Sequence, residues 1–175
     1  MRSSGILDGL PSIGLSISKE RAEGGMPGHS GSEHPWGQLP LLIDTSAWAR
    51  AGHPSVRDEW LAALYGERVR IAPPTRVEIP QSARGGVEFD QLEERLDTIR
   101  PAPLTPATVR AAEAAMRALA HRSAGARRLP VVDYLVAAAA REIGGAVLHY
   151  DGDYDTLAEV MEFESVWLAR RGTLS

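Results

Sequence analysis

The stretch that decides the fold is Leu39-Pro40-Leu41-Leu42-Ile43-Asp44-Thr45-Ser46. Its apolar run is short and is followed at once by polar residues, which is typical of a buried strand. Thr45 and Ser46 begin a helical stretch. Asp44 therefore falls where the strand ends, and we predict a buried strand that places a carboxylate at its carboxyl end.

Strand and helix patterns alternate along the rest of the chain. Further strands are predicted at 69–72, 146–149 and 165–168, with a short extended segment at 101–104. Helices are predicted at 54–65, 87–99, 106–121, 129–143 and 155–161, and Thr75 is expected to cap one more that holds Glu78. Such alternation is typical of an α/β protein with a parallel sheet and helices on both faces.

Composition limits the class of protein. The chain has 175 residues, of which 43% are hydrophobic, a formal net charge of −4 and no cysteine. A single domain of this size can bury a core without disulfides. The lack of cysteine excludes a disulfide scaffold, a cysteine-ligated metal and a thiol nucleophile. The acidic charge argues against a broad basic face for nucleic acid, but not against an enzyme that meets phosphates through a bound metal.

The N-terminal segment differs from the rest. Gly, Ser and Pro make up 19 of the first 40 residues, so we interpret residues 1–38 as a flexible leader and residues 39–175 as the folded domain. The leader lacks the continuous apolar core of a secretory signal. The longest apolar run, at 131–143, is interrupted by charged residues. We therefore expect a cytoplasmic protein without a membrane span.

Five acidic residues stand at predicted strand ends or beside apolar helical faces. They are Asp44, Glu78, Asp133, Asp151 and Asp153. The ligand site of an open parallel sheet lies beyond the carboxyl ends of its strands, and several carboxylates directed to one place require a cation. Oxygen donors suit Mg²⁺ or Mn²⁺, and such a set fits metal-assisted hydrolysis of a phosphodiester. Each acid alone could instead be a helix cap or a loop residue.

Four stretches, in this order, resemble the signatures of PIN-domain ribonucleases of the VapC toxin type. They are LIDTSAW at 42–48, APPTRVEI at 72–79, VDYLVAAAA at 132–140 and VLHYDGDYD at 147–155. The resemblance covers about residues 39–170. It implies a three-layer α/β/α sandwich around a central parallel sheet, and a metal-dependent endoribonuclease that hydrolyses RNA.

The same resemblance implies site residues and partners. The catalytic, metal-binding acids of the family are matched by Asp44, Glu78, Asp133 and Asp151. Asp153 is expected to assist them in holding Mg²⁺ or Mn²⁺. Ser46 is expected to support the site. The four catalytic acids should then converge on one cleft. The resemblance also implies a homodimer and a cognate VapB-like antitoxin that covers the active-site groove.

Three features depart from the family pattern. Pro80 lies inside the predicted helix that carries Glu78, where it can kink the backbone. A leader of this length is not usual in these toxins. Gly152 stands where a basic residue is common, which would weaken a phosphate contact.

Other functions remain open from the residues alone. A non-catalytic domain of the same fold could bind a protein or RNA partner, although the full set of acids argues against it. A phosphatase could use Asp44 as its nucleophile, but Ser46 stands where the second acid is expected. A zinc site has no support because His149 has no second histidine nearby, and we interpret His149 as structural.

Overall fold

The computed structural model describes residues 35–122 and 128–174. Within these ranges, β1 (Leu41–Ile43) is fully buried at the centre of a five-stranded sheet. The other strands are β2 (Val69–Ile71), β3 (Arg100–Pro101), β4 (Ala146–His149) and β5 (Glu164–Trp167). All pairings are parallel, in the order β3-β2-β1-β4-β5. The predicted α/β class with a parallel sheet is confirmed.

Helices connect the strands. Between β1 and β2 lie α1 (Thr45–Trp48) and α2 (Arg57–Tyr65), and before β3 lie α3 (Pro73–Glu78), a 3-10 turn (Ile79–Ser82) and α4 (Gly86–Asp97). α5 (Pro106–Arg122) and α6 (Val131–Glu142) precede β4, and α7 (Asp153–Ala158) leads to β5. None of the helices in the described ranges is long and apolar enough to cross a membrane.

The alternation of side chains along the strands divides the core between the two faces of the sheet. Leu41, Ile43 and Leu148 pack on one face with residues of α1, α2 and α4. Leu42 and Val147 pack on the other face with residues of α5, α6 and α7. Successive strand residues point to opposite faces, so one short apolar run contributes to both cores. The predicted three-layer sandwich is therefore confirmed.

The order of the strands places two acidic residues side by side. β1 pairs with β2 on one side and with β4 on the other, with Ile43 opposite Leu148. Ligand sites of such sheets lie where the strand order reverses, beyond the carboxyl ends of the strands. Asp44 follows β1 and Asp151 follows β4, so both residues lie at this edge of the sheet.

Two glycines allow β4 to begin beside β1. Gly144 has a φ of +60°, the left-handed conformation that commonly ends a helix. A Cβ on Gly145 would lie 2.7 Å from the carbonyl oxygen of Pro40. That oxygen accepts the N–H of Ala146 at 2.8 Å. A larger residue at 145 would therefore push apart the two strands that lead to the acids.

The helix that carries Glu78 differs from the expectation in two ways. Thr75 is not its cap, because α3 begins at Pro73 and Thr75 is fully buried inside it. Proline suits the first helical positions, where its φ is already helical and its missing N–H is not needed. Pro80 does not kink α3 either. The α-helix ends at Glu78 and tightens into the 3-10 turn, which holds Pro80 near its start.

Two residues just before the predicted start of the domain also contact it. Trp36, placed in the predicted leader, is 4% exposed and belongs to the same core as Leu168. Its Nε1–H donates to the carbonyl oxygen of Leu168 at 3.2 Å, and Arg68 donates to the carbonyl oxygen of Gly37 at 2.6 Å. An isolated tryptophan in a Gly-rich segment has no periodicity from which its burial could be predicted. The rest of the predicted leader, 1–34, lies outside the described residues.

Smaller differences concern the ends of elements. α7 begins at Asp153 rather than at 155, because Oδ1 of Asp151 accepts the N–H of Asp153 at 3.1 Å and starts a turn there. The extended segment predicted at 101–104 pairs with β2 only at Arg100–Pro101.

Candidate active site

Asp44 is held in one orientation from two sides. It is 6% exposed, and its Oδ2 caps α1 by accepting the N–H of Ser46 at 2.9 Å and the Ser46 hydroxyl at 2.5 Å. Its Oδ1 accepts the hydroxyl of Tyr154 at 2.8 Å. The Ser46 Oγ accepts the N–H of Tyr150 at 2.8 Å. The carboxylate is therefore fixed both by α1 and by the segment that follows β4.

Glu78 lies next to the Asp44 segment. It is the last residue of α3 and is half-buried. Its Oε2 accepts the hydroxyl of Thr45 at 2.6 Å, and Thr45 directly follows Asp44 in the chain. The structure thus keeps Glu78 beside Asp44, despite the proline two residues later.

Asp133 is a buried acid in the first turn of α6. Burial, which is the largest cause, and the negative charges of the four other acids together raise the pKa of Asp133 from 3.8 to about 7. The four other acids are therefore close enough to act on Asp133.

The segment after β4 supplies the last two acids. Asp151 is exposed, whereas Asp153 is 5% exposed at the start of α7. The turn in which Asp151 accepts the N–H of Asp153 holds the two residues together. This pair therefore offers one open carboxylate and one buried carboxylate.

The structure brings all five predicted acids and Ser46 into one region. Over residues 35–122 and 128–174, however, no three His, Asp or Glu side chains are grouped closely enough to hold a single ion as they stand. Asp44 and Glu78 direct oxygen atoms toward the hydroxyl groups of neighbouring residues instead. The assignment of these acids as catalytic and metal-binding residues stays a prediction.

Most of the described chain matches a known protein family. The sequence model of the PIN domain family matches residues 41–160, which is more than half of the chain. The chain belongs to the PIN domain family. The matched range begins at β1 and ends just after α7, so it contains every acid of the candidate site.

Two curated PIN-domain relatives match nearly over their full lengths. Ribonuclease VapC18 of Mycobacterium tuberculosis is 38% identical over 138 residues, which is 78% of this chain and 100% of that protein. Ribonuclease VapC51 of the same organism is 35% identical over 136 residues, which is 78% of this chain and 98% of that protein. The PIN-domain part of the chain thus corresponds to whole proteins of this kind.

Solved structures share the fold at lower identity. The DNA-bound VapBC structure from Salmonella typhimurium has a TM-score of 0.60 and 14% identity, and the match covers 75% of this chain and 100% of that one. FitAcB from Neisseria gonorrhoeae has a TM-score of 0.52 and 21% identity, and the match covers 71% of this chain and 96% of that one. At these identities, the likeness supports the PIN fold alone.

Tyr154 belongs to the candidate site, although it is not among the site residues predicted from the sequence. It is fully buried, and its hydroxyl donates to Asp44. Burial and then the charge of Asp44 raise the pKa of Tyr154 well above its usual value, so the hydroxyl stays protonated and remains a donor. The only available signal was its place directly after Asp153 in the last motif, since a contact across 110 residues leaves no local pattern.

His149 supports the backbone of Asp151. It is fully buried, and its Nδ1 accepts the N–H of Asp151 at 3.2 Å. The ring proton is therefore on Nε2, which donates to Ser165 at 2.7 Å, and the Ser165 hydroxyl donates to Asp155 at 2.6 Å. Burial lowers the pKa of His149, which favours this neutral form. The arrangement agrees with the structural role inferred from the sequence.

Proposed function

We propose that this PIN-domain protein is a metal-dependent endoribonuclease that hydrolyses RNA phosphodiester bonds, and that it is the toxin of a toxin–antitoxin pair. The observation that carries the proposal is the set of acids near the ends of β1 and β4, of which Asp44, Asp133 and Asp153 are buried. Asp44 and Asp133 are costly to bury as charges unless a cation compensates them. The ribonuclease names of its two relatives in Mycobacterium tuberculosis support the same activity.

The acids fit Mg²⁺ or Mn²⁺ by donor type and by charge. All the donors are carboxylate oxygens, the ligands that these ions prefer. Burial and then the nearby negative charges raise the pKa of Asp133, and a divalent cation would offset both by compensating the charge. We expect Asp44, Asp133 and Asp151 to hold the ion, with Glu78 and Asp153 completing the set. When bound, the ion supplies an activated water and stabilises the charge that develops on phosphorus.

The residues of the chain prepare this site. The hydroxyl groups of Ser46 and Tyr154 fix the two oxygens of Asp44 before any ligand arrives. Such preorganisation spares the protein the cost of orienting the carboxylate during the reaction. Asp133 has to lose its proton to act as a ligand, and its pKa of about 7 places this event near neutral pH.

Apolar side chains next to the cleft fit a protein partner. Val77 precedes Glu78 and is 68% exposed, and Val131 lies two residues before Asp133 and is 60% exposed. α3, which carries Val77, packs against α6, which carries Val131. Exposed apolar groups around a charged site are typical of an interaction surface. We propose that a VapB-like antitoxin covers this edge and that the protein itself forms a homodimer.

The test compares cleavage of a mixed RNA substrate, with Mg²⁺ present, by the full chain and two variants. Asp44→Asn keeps the size of the side chain but removes its charge, so cleavage should be lost while the fold is kept or stabilised by reduced repulsion. Asp90→Asn, at an exposed position on α4, is the matched control and should cleave normally. Cleavage retained by pure Asp44→Asn would overturn the mechanism. RNA binding without cleavage by the unmodified chain would favour the non-catalytic binding domain.

A further inference from the structure

A cavity of about 300 Å³ opens beside the acidic cleft. Asp151, Asp153 and Arg171, which belongs to the segment after β5, line it. Leu119 and Leu129 give it an apolar wall. Its volume is at the small end of the range of about 300–1,000 Å³ found for ligand sites, which are mostly apolar with a few polar groups.

The guanidinium of Arg171 lies next to Gly152, at a distance that would give ordinary contact with a Cβ at that position. A Cβ on Gly152 would lie 3.6 Å from Nη1 and 3.8 Å from Cζ of Arg171. The guanidinium also lies 5.9 Å from the ring centroid of Trp167, at the outer limit of a cation–π contact. Trp167 is itself held by Asp155, which accepts its Nε1–H at 3.0 Å. The guanidinium is therefore positioned beside the site acids by contacts that do not use its hydrogen-bond donors.

Those donors remain available for an incoming ligand. In the part of the chain that the structure describes, Arg171 takes part in none of the salt bridges, which join Arg76 to Asp97, Arg84 to Glu88 and Arg122 to Glu159. A guanidinium presents a planar set of N–H groups that matches two phosphate oxygens at once. A phosphodiester that approaches five acids meets repulsion, which a cation at the edge of the cleft would reduce.

We propose that Arg171 and this cavity form a nucleotide-binding subsite. The inference rests on the proposed ribonuclease function and deepens it. The guanidinium binds an RNA phosphate next to the bond that is cleaved, and the wall of Leu119 and Leu129 receives the ribose or base of that nucleotide. Arg171 thus acts as a positioning residue that lowers the KM for RNA, whereas the acids carry the chemistry.

The experiment measures cleavage of a short single-stranded RNA, with Mg²⁺, by the full chain and by Arg171→Gln, Arg171→Lys and Arg170→Gln. Arg170 is the matched control, since it is the exposed neighbour of the same chemistry. Loss of one charged hydrogen-bonding partner should raise the KM of Arg171→Gln about tenfold with little change in kcat. The slope of log(kcat/KM) against log[salt] should become shallower by about 0.7, the value for one phosphate contact on a single strand.

The variants distinguish an Arg171 that binds RNA phosphate from an Arg171 that only packs on Trp167. Arg171→Lys should keep most of the salt dependence, because it keeps the charge. Normal KM and salt slope in Arg171→Gln would overturn the subsite. Equal losses in Arg171→Gln and Arg171→Lys, with a lowered melting temperature in both, would show that Arg171 only packs on Trp167. If the unmodified chain does not cleave RNA at all, the proposed function fails, and fluorescence anisotropy of the same RNA with the same variants still tests whether Arg171 binds it.

Discussion

Substitution of Asp133 by Asn tests whether burial and the neighbouring acids raise the pKa of Asp133 as the structure indicates. The folded state raises the pKa of Asp133 from 3.8 to about 7. A carboxyl group with a raised pKa binds its proton more tightly in the folded state than in the unfolded state. The metal-free protein should therefore lose stability as the pH rises through the interval between these two values. Each pKa unit corresponds to about 1.4 kcal/mol, so the full loss has a ceiling of about 4 kcal/mol.

The assay is urea unfolding in EDTA, followed by tryptophan fluorescence, at pH 5 and at pH 8. Asp133 is already almost fully ionised in the unfolded state at pH 5, so the part of the loss that falls below pH 5 is not sampled and about 2.5 kcal/mol remains between the two pH values. The asparagine of Asp133→Asn does not titrate, so the free energy of unfolding of this variant should fall by about 2.5 kcal/mol less than that of the unmodified chain between pH 5 and pH 8. Asp90→Asn, exposed on α4, should behave as the unmodified chain does.

An equal pH dependence in the unmodified chain and in Asp133→Asn would refute this reasoning. It would mean that Asp133 is hydrated, or that the other acids are too distant to act on it. Addition of Mg²⁺ at pH 8 gives a second reading. The ion should restore stability to the unmodified chain and much less to Asp133→Asn, because a ligand that binds only the folded state stabilises it more when it binds more tightly.

Further predictions follow from the same structure. Trp36→Ala should destabilise the domain by about 3–5 kcal/mol in urea unfolding. Deletion of residues 1–34 should leave both stability and RNA cleavage unchanged. Unchanged stability in Trp36→Ala would instead support the predicted boundary near residue 38. Burial lowers the pKa of His149 in the folded state, so the unfolded chain takes up a proton first as the pH falls below about 6.5. The stability of the protein should therefore decrease below this pH. A pH series of melting curves should show that His149→Asn lacks this decrease. RNA cleavage should stop in EDTA and return with Mg²⁺ or Mn²⁺. Excess Ca²⁺ should inhibit cleavage, because its longer bonds of about 2.3–2.6 Å would misplace the attacking water. Full activity in EDTA would exclude the mechanism.

The sheet could be predicted because its strands carry their signal locally. The run that ends at Asp44 is apolar for a strand's length and then turns polar, and the stretch at 146–149 repeats this pattern before Asp151. The carboxyl ends of parallel strands lie at the same edge of a sheet, so the convergence of these acids follows from the pattern. The fold class and the region of the site were therefore accessible from the sequence.

Contacts between distant segments could not be predicted in the same way. The hydrogen bond from Tyr154 to Asp44 and the packing of Trp36 against Leu168 depend on tertiary structure, and no periodicity reports them. The end of α3 at Glu78 was mispredicted for a different reason. Pro80 was treated as a kink inside one helix, whereas the backbone changes to a 3-10 turn in which proline is acceptable.

The burial of the acids indicates the direction from which RNA would enter the proposed site. Asp44 and Asp133 lie on the buried side of the cleft, and the bonds from Ser46 and Tyr154 leave Asp44 little freedom to move. Asp151 is exposed and lines the same cavity as Arg171. Because Asp151 and Arg171 are exposed and Asp44 and Asp133 are buried, we expect a phosphodiester to meet Asp151 and Arg171 first. Substitutions at Arg171 should therefore change how tightly RNA binds, and substitutions at Asp44 should change whether the bound RNA is cut.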